Sequence, residues 1–412
     1  MLIIERGIDK NAILFNMSGF SPTGPVVHPD RSNTLSMRIL FSSGPGVGHI
    51  LPSLPLARAL RERGDEVALL TADVMSSVVA GEDIDVLPAG PGPDVLVAEI
   101  ARRTGADLFA GPPTREVEAE LFAGTRVDLS IEQALEAAAA FRPDLIVCEH
   151  YDFVGPLVGA VLRIPVATLA YGPAMAADLA AAMAEVVAER YAARGVTRHA
   201  SRWYLDTCPD ALQLDGWQAP AGRIGLRPQA HRAAGRPAGT PPAADRQRPQ
   251  ILVSFGTVFA APQMLAPLLR QLADADLDLR VTTGLFATAA DFGIESERVS
   301  FAGFTPLDEL LQGVDLVLSH GGAGTTLGSL AAGIPLVVVP QGADQFVQAD
   351  RVTAAGAGLT VTGEATESLA PTVLKVLEDP SFRTNARKIA AQIAALPSPA
   401  DVAAQLAAAL EK

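Results

Sequence analysis

Short apolar runs separated by helix-period segments occur twice along the chain, and this pattern limits the fold more than any other feature. In the first half the runs are Arg38–Ser42, Glu66–Thr71, Leu145–Glu149 and Val166–Ala170. In the second they are Ile251–Phe255, Arg280–Thr283, Val299–Ala302, Leu316–Ser319 and Leu336–Pro340. Ala- and Leu-rich segments lie between them, among them Leu51–Arg63, Ser130–Ala140, Met264–Ala273 and Thr325–Ala332. Runs that are apolar throughout, rather than at alternate positions, predict strands covered on both faces, hence parallel sheets flanked by helices. The expected class is therefore α/β, with two doubly wound parallel-sheet domains facing across a cleft.

The divide between the halves is expected at Arg227–Gln250, rich in Pro, Ala, Gly and Arg and without a period, which reads as an interdomain linker. The organisation expected is an extension over residues 1–36, a first domain over 37–226, the linker 227–250, a second domain over 251–399 and a C-terminal helix over 400–412 that could cross back to the first domain. The first 36 residues carry charges inside their apolar stretches and lack a small-residue cleavage site after an apolar core, so they do not fit a secretory signal. They read as a loose extension ahead of a domain opening at Met37. A length of 412 residues, 49% of them hydrophobic, supports two cored domains.

A net charge of −14 with no Lys/Arg block argues against a nucleic-acid partner. No apolar stretch of about 20 residues is free of polar interruption, so no membrane span is expected. Cys148 and Cys208 cannot make a disulfide framework, and Cys148 lies in an apolar run and reads as core. A cytoplasmic protein is expected; a homodimer is compatible with the sequence but not indicated by it.

"SHGGAGTTLGSLAAGIPLVVVPQGADQ", Ser319–Gln345, carries the first functional signal. A strand ends at Ser319 and a helix is expected from Thr325, which makes His320–Gly324 the turn at the strand's carboxyl end. Glycines there allow close backbone approach, and unpaired N–H groups at a helix start attract anions. Thr325 and Thr326 can add hydroxyl donors, and His320 could donate to phosphate. The stretch lacks the Gly-Lys-Ser/Thr ending of an ATP-hydrolysing P-loop. Asp344 and Gln345 follow the next strand and should reach the same cleft, where a carboxylate and an amide suit vicinal hydroxyls. Read alone, the glycines could be an ordinary tight turn, and Asp344 a turn or helix cap.

Together these stretches resemble the donor-binding signature of family 1 glycosyltransferases of GT-B fold, with two Rossmann-like domains. They are most similar to the bacterial enzymes that attach deoxysugars to natural products such as antibiotics and polyketides. The resemblance rests on "HGGAGTT", "AAGIPLVVVPQGADQ" and "GFTPLDELL", with "SFGT" opening the second half and "GVGHILPSLPLARAL" in the first, and runs from about Met37 to the C-terminus. It implies an inverting, metal-independent transferase whose nucleoside diphosphate sugar is a co-substrate, with no cofactor. It implies that His320, Gly322, Gly324, Thr325 and Thr326 contact the pyrophosphate, and that Ser254, Gly256 and Thr257 lie near the phosphates. Asp344 and Gln345 then hold donor-sugar hydroxyls, and Phe304 stands where many members have a Trp beside the nucleobase. Eight residues after the motif histidine, many UDP-using members carry a ribose-binding Glu. Here that residue is Gly328, which favours a dTDP-deoxysugar donor.

The same resemblance makes His49 the general base for the acceptor hydroxyl and Glu149 its carboxylate partner, with Asp152 the alternative. A position near a helix N-terminus is expected to favour neutral imidazole. His150 reads as a cleft-wall residue. The aromatics of Ile100–Arg126, with Phe109 and Phe122, and of Tyr171–Tyr204 either pack the domain or line a pocket for a small hydrophobic acceptor. The pairs in Asp83–Asp85 and Asp274–Asp278 resemble the Asp-x-Asp of metal-dependent transferases but precede strands, so they read as solvated loops. Rival readings are an auxiliary nucleotide-sugar-binding protein, a GT-B epimerase and a lipid-linked transferase; the presence of His49 and the acidic composition weigh against them.

Overall fold

The computed structural model describes residues 36–108, 112–232, 247–256, 260–285, 287–362 and 368–411. The expected extension over 1–36 therefore lies, but for Ser36, outside the described residues, as does most of the linker.

The described residues build two parallel sheets. The first contains β1 (Arg38–Ser42), β2 (Glu66–Thr71), β3 (Asp85–Pro88), β4 (Leu145–Glu149), β5 (Val166–Ala170), β6 (Trp203–Asp206) and β7 (Arg223–Gly225), in the order β3-β2-β1-β4-β5-β6-β7. The second contains β8 (Gln250–Ser254), β9 (Asp278–Thr282), β10 (Val299–Ala302), β11 (Leu316–Ser319), β12 (Leu336–Val338) and β13 (Gly358–Thr360), in the order β10-β9-β8-β11-β12-β13. Every pairing is parallel. The expected doubly wound α/β architecture is the one observed.

The unbroken apolar runs have a direct cause in the second sheet. Ile251, Val253, Leu316, Leu318 and Val337 enter the core on one face, while Leu252, Val317, Leu336 and Val338 enter the core on the other. A strand with helices above and below has no face left for polar residues.

In each sheet the strand order reverses once, between β1 and β4 and between β8 and β11. Chain crossovers leave to opposite faces at such a point and open a crevice beyond the carboxyl ends of the two strands. Registers are matched there, Ser42 beside Cys148 and Ser319 beside Ser254, so the strand ends lie level.

Several boundaries differ from expectation. Gln250, expected as the last linker residue, is the first of β8, its N–H donating to Asp315 Oδ2 at 2.9 Å. The helix after β1 starts at Val47 rather than Leu51, passing through a 3₁₀ turn at Leu51–Ser53 into Leu54–Glu62. The helix after β11 starts at Ala323 rather than Thr325. The last helix, Pro399–Leu410, does cross back: Val402, Ala403, Leu406 and Ala407 are buried in the core of the first sheet's half. Pro380–Leu410 is long and apolar enough to span a membrane by composition, but here it is two helices, Pro380–Ala395 and Pro399–Leu410, the second opened by a Ser398–Asp401 capping box.

Candidate active site

The turns after β1, β8, β11 and β12 face one another across a cavity of about 450 Å³. The first half contributes Gly46–His49 and Tyr171; the second contributes Ser254, Gly256, Phe304, His320, Gly322, Gly324, Thr325, Asp344 and Gln345. Two switch-point crevices thus share one space.

On the first-half side, the chain leaves β1 through a glycine loop. Gly46 caps the short helix Val47–Ile50 in extended conformation, and the His49 N–H donates to the Gly46 carbonyl at 3.0 Å. A Cβ on Gly46 would lie 2.9 Å from His49 Cδ2, so glycine lets the imidazole fold back over the loop. Glu149, the last residue of β4, is buried beneath it. Its Oε1 lies 3.1 Å from His49 Nδ1 and accepts from the Gly44 N–H at 3.3 Å, and its Oε2 accepts from the Tyr151 N–H at 2.7 Å. Three partners fix this carboxylate. Burial alone would raise its pKa, but the charge and hydrogen bond of His49 hold it below the usual value.

The imidazole answers in kind. Burial opposes its protonation, yet the charge and hydrogen bond of Glu149, with smaller contributions from Asp344 and Asp152, leave its pKa above the ordinary value. The expected bias of a helix start toward neutral imidazole is therefore overruled: a buried carboxylate at 3.1 Å outweighs a few partial charges. A carboxylate on Nδ1 fixes that nitrogen as the proton carrier and leaves Nε2 to accept a proton.

Asp152 does not share this task. Its Oδ2 accepts from Ser42 Oγ at 2.5 Å and the Gly155 N–H at 2.9 Å, tying β1 to the following helix. His150 packs as a ring between Tyr151 and Tyr171, with centroids 4.7 and 4.4 Å away, and burial pulls its pKa to about 4. It packs against Tyr171, which lines the cavity, and is not itself among the lining residues.

An aromatic wall adjoins the dyad. Phe122 lies 5.8 Å from the His49 ring and 5.1 Å from Tyr151, on a segment that widens into a π-helical turn at Glu120–Thr125. Such turns re-aim side chains and recur at functional sites. Phe109 lies outside the described residues. The Tyr171 hydroxyl, 3.0 Å from His49 Nδ1, is a second neighbour of the imidazole. In the sequence it is the first of the Tyr171–Tyr204 aromatics and stands just past the carboxyl end of β5.

On the second-half side, His320 is buried between two glycines. A Cβ on Gly322 would lie 2.6 Å from its Nε2, and one on Gly256 would lie 2.9 Å from its Cε1. The ring stacks on Phe255, with 6.1 Å between centroids, and burial draws its pKa down to about 4 despite a backbone hydrogen bond with Ser254. It is neutral at pH 7. Gly322 caps the helix Ala323–Ala331, whose first N–H groups have no intrahelical partner, and Gly324 and Thr325 of that first turn line the cavity. Thr326 corrects the expectation. Because the helix starts two residues early, Thr326 turns inward and its hydroxyl is fully buried, so it is no donor to the cleft. Ser254 ends β8, with its hydroxyl accepting from Thr282 Oγ1 at 3.3 Å; Thr257 lies outside the described residues. Phe304 is 56% exposed at the cavity rim, an aromatic face open to a ligand.

Gln345 is buried, its Oε1 accepting from the N–H groups of Gln341 at 2.8 Å and Gly342 at 3.1 Å. That leaves its amide N–H₂ for other use. Asp344 stands at the helix N-cap position without capping through its side chain, and accepts from Gln348 Nε2 at 3.3 Å. Burial raises its pKa, opposed by Gln348 and by His49 across the cleft. The two Asp-x-Asp look-alikes lie elsewhere, at the amino ends of β3 and β9, where Asp276 pairs with Arg248 at 2.6 Å.

Comparison with known proteins agrees along most of the chain. Residues 58–221 match the family model "Erythromycin biosynthesis protein CIII-like, N-terminal domain", and residues 267–409 match the corresponding C-terminal domain. The elloramycin glycosyltransferase ElmGT of Streptomyces olivaceus is 31% identical over 90% of this chain and 97% of its own. The solved glycosyltransferase SnogD of Streptomyces nogalater superposes with a TM-score of 0.74 at 31% identity, covering 91% of this chain and 100% of that one. SsfS6, a glycosyltransferase of Streptomyces sp. SF2575 solved with thymidine diphosphate, does so with 0.76 at 28% identity, covering 90% and 99%.

Proposed function

The chain belongs to the erythromycin biosynthesis protein CIII-like glycosyltransferases of GT-B fold, and from that premise we propose that it transfers a deoxysugar from a dTDP donor to a small hydrophobic natural-product acceptor, with inversion and with His49 as general base. The observation that carries this reading is the single cavity on which both switch points open, with the His49–Glu149 pair on one wall and the Gly322–Thr325 helix start and Asp344 on the other.

In this reading the acceptor hydroxyl lies against the Phe122–Tyr151 wall and gives its proton to His49 Nε2 as its oxygen attacks the anomeric carbon. The bond from that carbon to the diphosphate oxygen breaks on the opposite face, which inverts the centre. The proton stays on an imidazolium stabilised by Glu149. The negative charge leaving with the diphosphate is met by the helix start at Ala323–Thr325 and by the turn at Ser254 and Gly256, and no cofactor or metal enters the scheme. Asp344 and Gln345 bind hydroxyls of the sugar.

The preference for dTDP has support at Gly328. A Cβ there would lie 2.7 Å from Leu307 Cδ2 and 3.3 Å from the Ala230 Cβ, so a ribose-binding Glu would fit only if Leu307 moved aside. A 2′-deoxyribose loses nothing by that. Calorimetry with dTDP and UDP on the wild type and on His49→Ala tests the scheme. Tight dTDP binding in both, weaker UDP binding, and loss of turnover in the variant are expected. Failure of the folded protein to bind either nucleotide removes the donor site and the transferase reading with it.

A further inference from the structure

The connection between the two halves forms part of the cavity. Pro228, Gln229 and His231 line it together with Phe304 and Gly328. This stretch is clamped from both sides: the Asp308 N–H donates to the His231 carbonyl at 3.2 Å, and Arg58 Nη2 donates to the Arg232 carbonyl at 2.7 Å. Arg58 is itself held by Glu82 Oε2 at 2.6 Å. His231 is therefore a fixed wall residue. Its ring centroid lies 6.1 Å from that of Phe304. Its Nδ1 is buried without a hydrogen-bond partner, an arrangement that is costly unless something completes it. Burial, and then the charge of Arg58, keep its pKa below the ordinary value, so the ring is neutral and offers one donor and one acceptor.

Its position says which part of a ligand it would meet. Gly324, where the helix start opens to the cavity, and Gly328, beside Ala230, are four residues apart on one helix, about 6 Å at 1.5 Å per residue. That is the order of the distance from a 5′-diphosphate to its sugar ring. The helix offers no polar side chain at Gly328, and Leu307 beside it is apolar. Gln229 and His231 are the polar side chains flanking Ala230, and of the two His231 is the one held against Phe304.

We propose that His231 is a donor-specificity residue, whose imidazole hydrogen-bonds the 3′-hydroxyl of the donor's deoxyribose and so makes the interdomain connection part of the nucleotide site. The inference rests on the dTDP reading above. Titration calorimetry with dTDP and with its 3′-deoxy analogue, 2′,3′-dideoxythymidine diphosphate, on wild type, His231→Ala and His231→Gln tests both. The wild type is expected to bind dTDP about tenfold more tightly than the analogue, a difference on the scale of one hydrogen bond. His231→Ala should abolish that difference by weakening dTDP alone, and His231→Gln, which keeps a donor and an acceptor, should retain part of it. A wild type that does not distinguish the two ligands overturns the proposal. So does a His231→Ala protein that still does, or one that weakens both ligands equally, the mark of a merely structural wall. A wild type that binds no dTDP defeats the donor reading itself, which is a separate outcome.

Discussion

His49 and Glu149 stand one hundred residues apart in sequence and 3.1 Å apart in the fold, and on the proposed reading their pairing sets the chemistry of the cleft. Its direction has a consequence in pH. Because the His49 pKa is raised, a growing fraction of the enzyme holds imidazolium as pH falls, and imidazolium cannot accept a proton. The kcat/KM profile should therefore rise with pH through an inflection above the ordinary imidazole value of about 6.5. His49→Ala should lower kcat by about 10²–10⁴-fold, the usual worth of a positioned base, with dTDP affinity preserved. Glu149→Gln removes the charge that raises the pKa. Its inflection should move to lower pH while kcat falls, since an amide can hold either ring nitrogen and no longer selects Nδ1–H. A Glu149→Gln enzyme with an unmoved inflection would mean that another group sets the acid limb.

At the scale of elements, the turn from β11 into the helix Ala323–Ala331 separates what glycine does for the fold from what it does for a ligand. Gly321 has φ +91°, and a Cβ there would lie 2.8 Å from Val338 Cγ1 and 3.1 Å from the Gln345 carbonyl oxygen. Gly321→Ala should cost about 1–3 kcal/mol of stability and also weaken dTDP binding by displacing the Gln345 turn. Gly324 does not have a positive φ, and a Cβ there would meet nothing within 4 Å. Gly324→Ala should leave the thermal midpoint unchanged or slightly higher, as helix propensity directs, while reducing dTDP affinity if, as proposed, the phosphate approaches the backbone there. Unchanged affinity would place the diphosphate elsewhere on the turn. These glycines are legible in the sequence, as are most of the inner strands, because an unbroken apolar run has few alternatives. The strands at Asp85–Pro88, Trp203–Asp206, Arg223–Gly225 and Gly358–Thr360 are not. They are short, lie at or next to sheet edges, and lack a continuous aliphatic stretch. A helix starting at Thr325 would put Thr326 on the open face of its first turn, and the observed two-residue shift rotates it by about half a turn of helix. His231 is hidden in a Pro/Ala/Arg stretch with no period, where only tertiary clamping gives a residue a fixed place.

For the whole molecule, the last helix makes the first half's core depend on residues far beyond the donor site. The two crossings between the halves run side by side: the Arg227 N–H donates to the Pro397 carbonyl at 2.8 Å and its guanidinium to the Leu396 carbonyl at 2.9 Å. Past that point Leu406 is fully buried in the core that also holds Leu56, Leu60 and Val67, all of the first half. Leu406→Ala should therefore lower the stability of the first half by about 2–5 kcal/mol, the usual cost of emptying a buried leucine site. Trp203 is buried in that same core, so tryptophan emission during urea unfolding reports on it. The midpoint of that transition should fall in the variant. Affinity for dTDP, which the proposed reading places chiefly on the second half, should be nearly retained below the transition. If emission is unaffected while dTDP binding is lost, the last helix supports the second half instead, and the crossing does not couple the two cores.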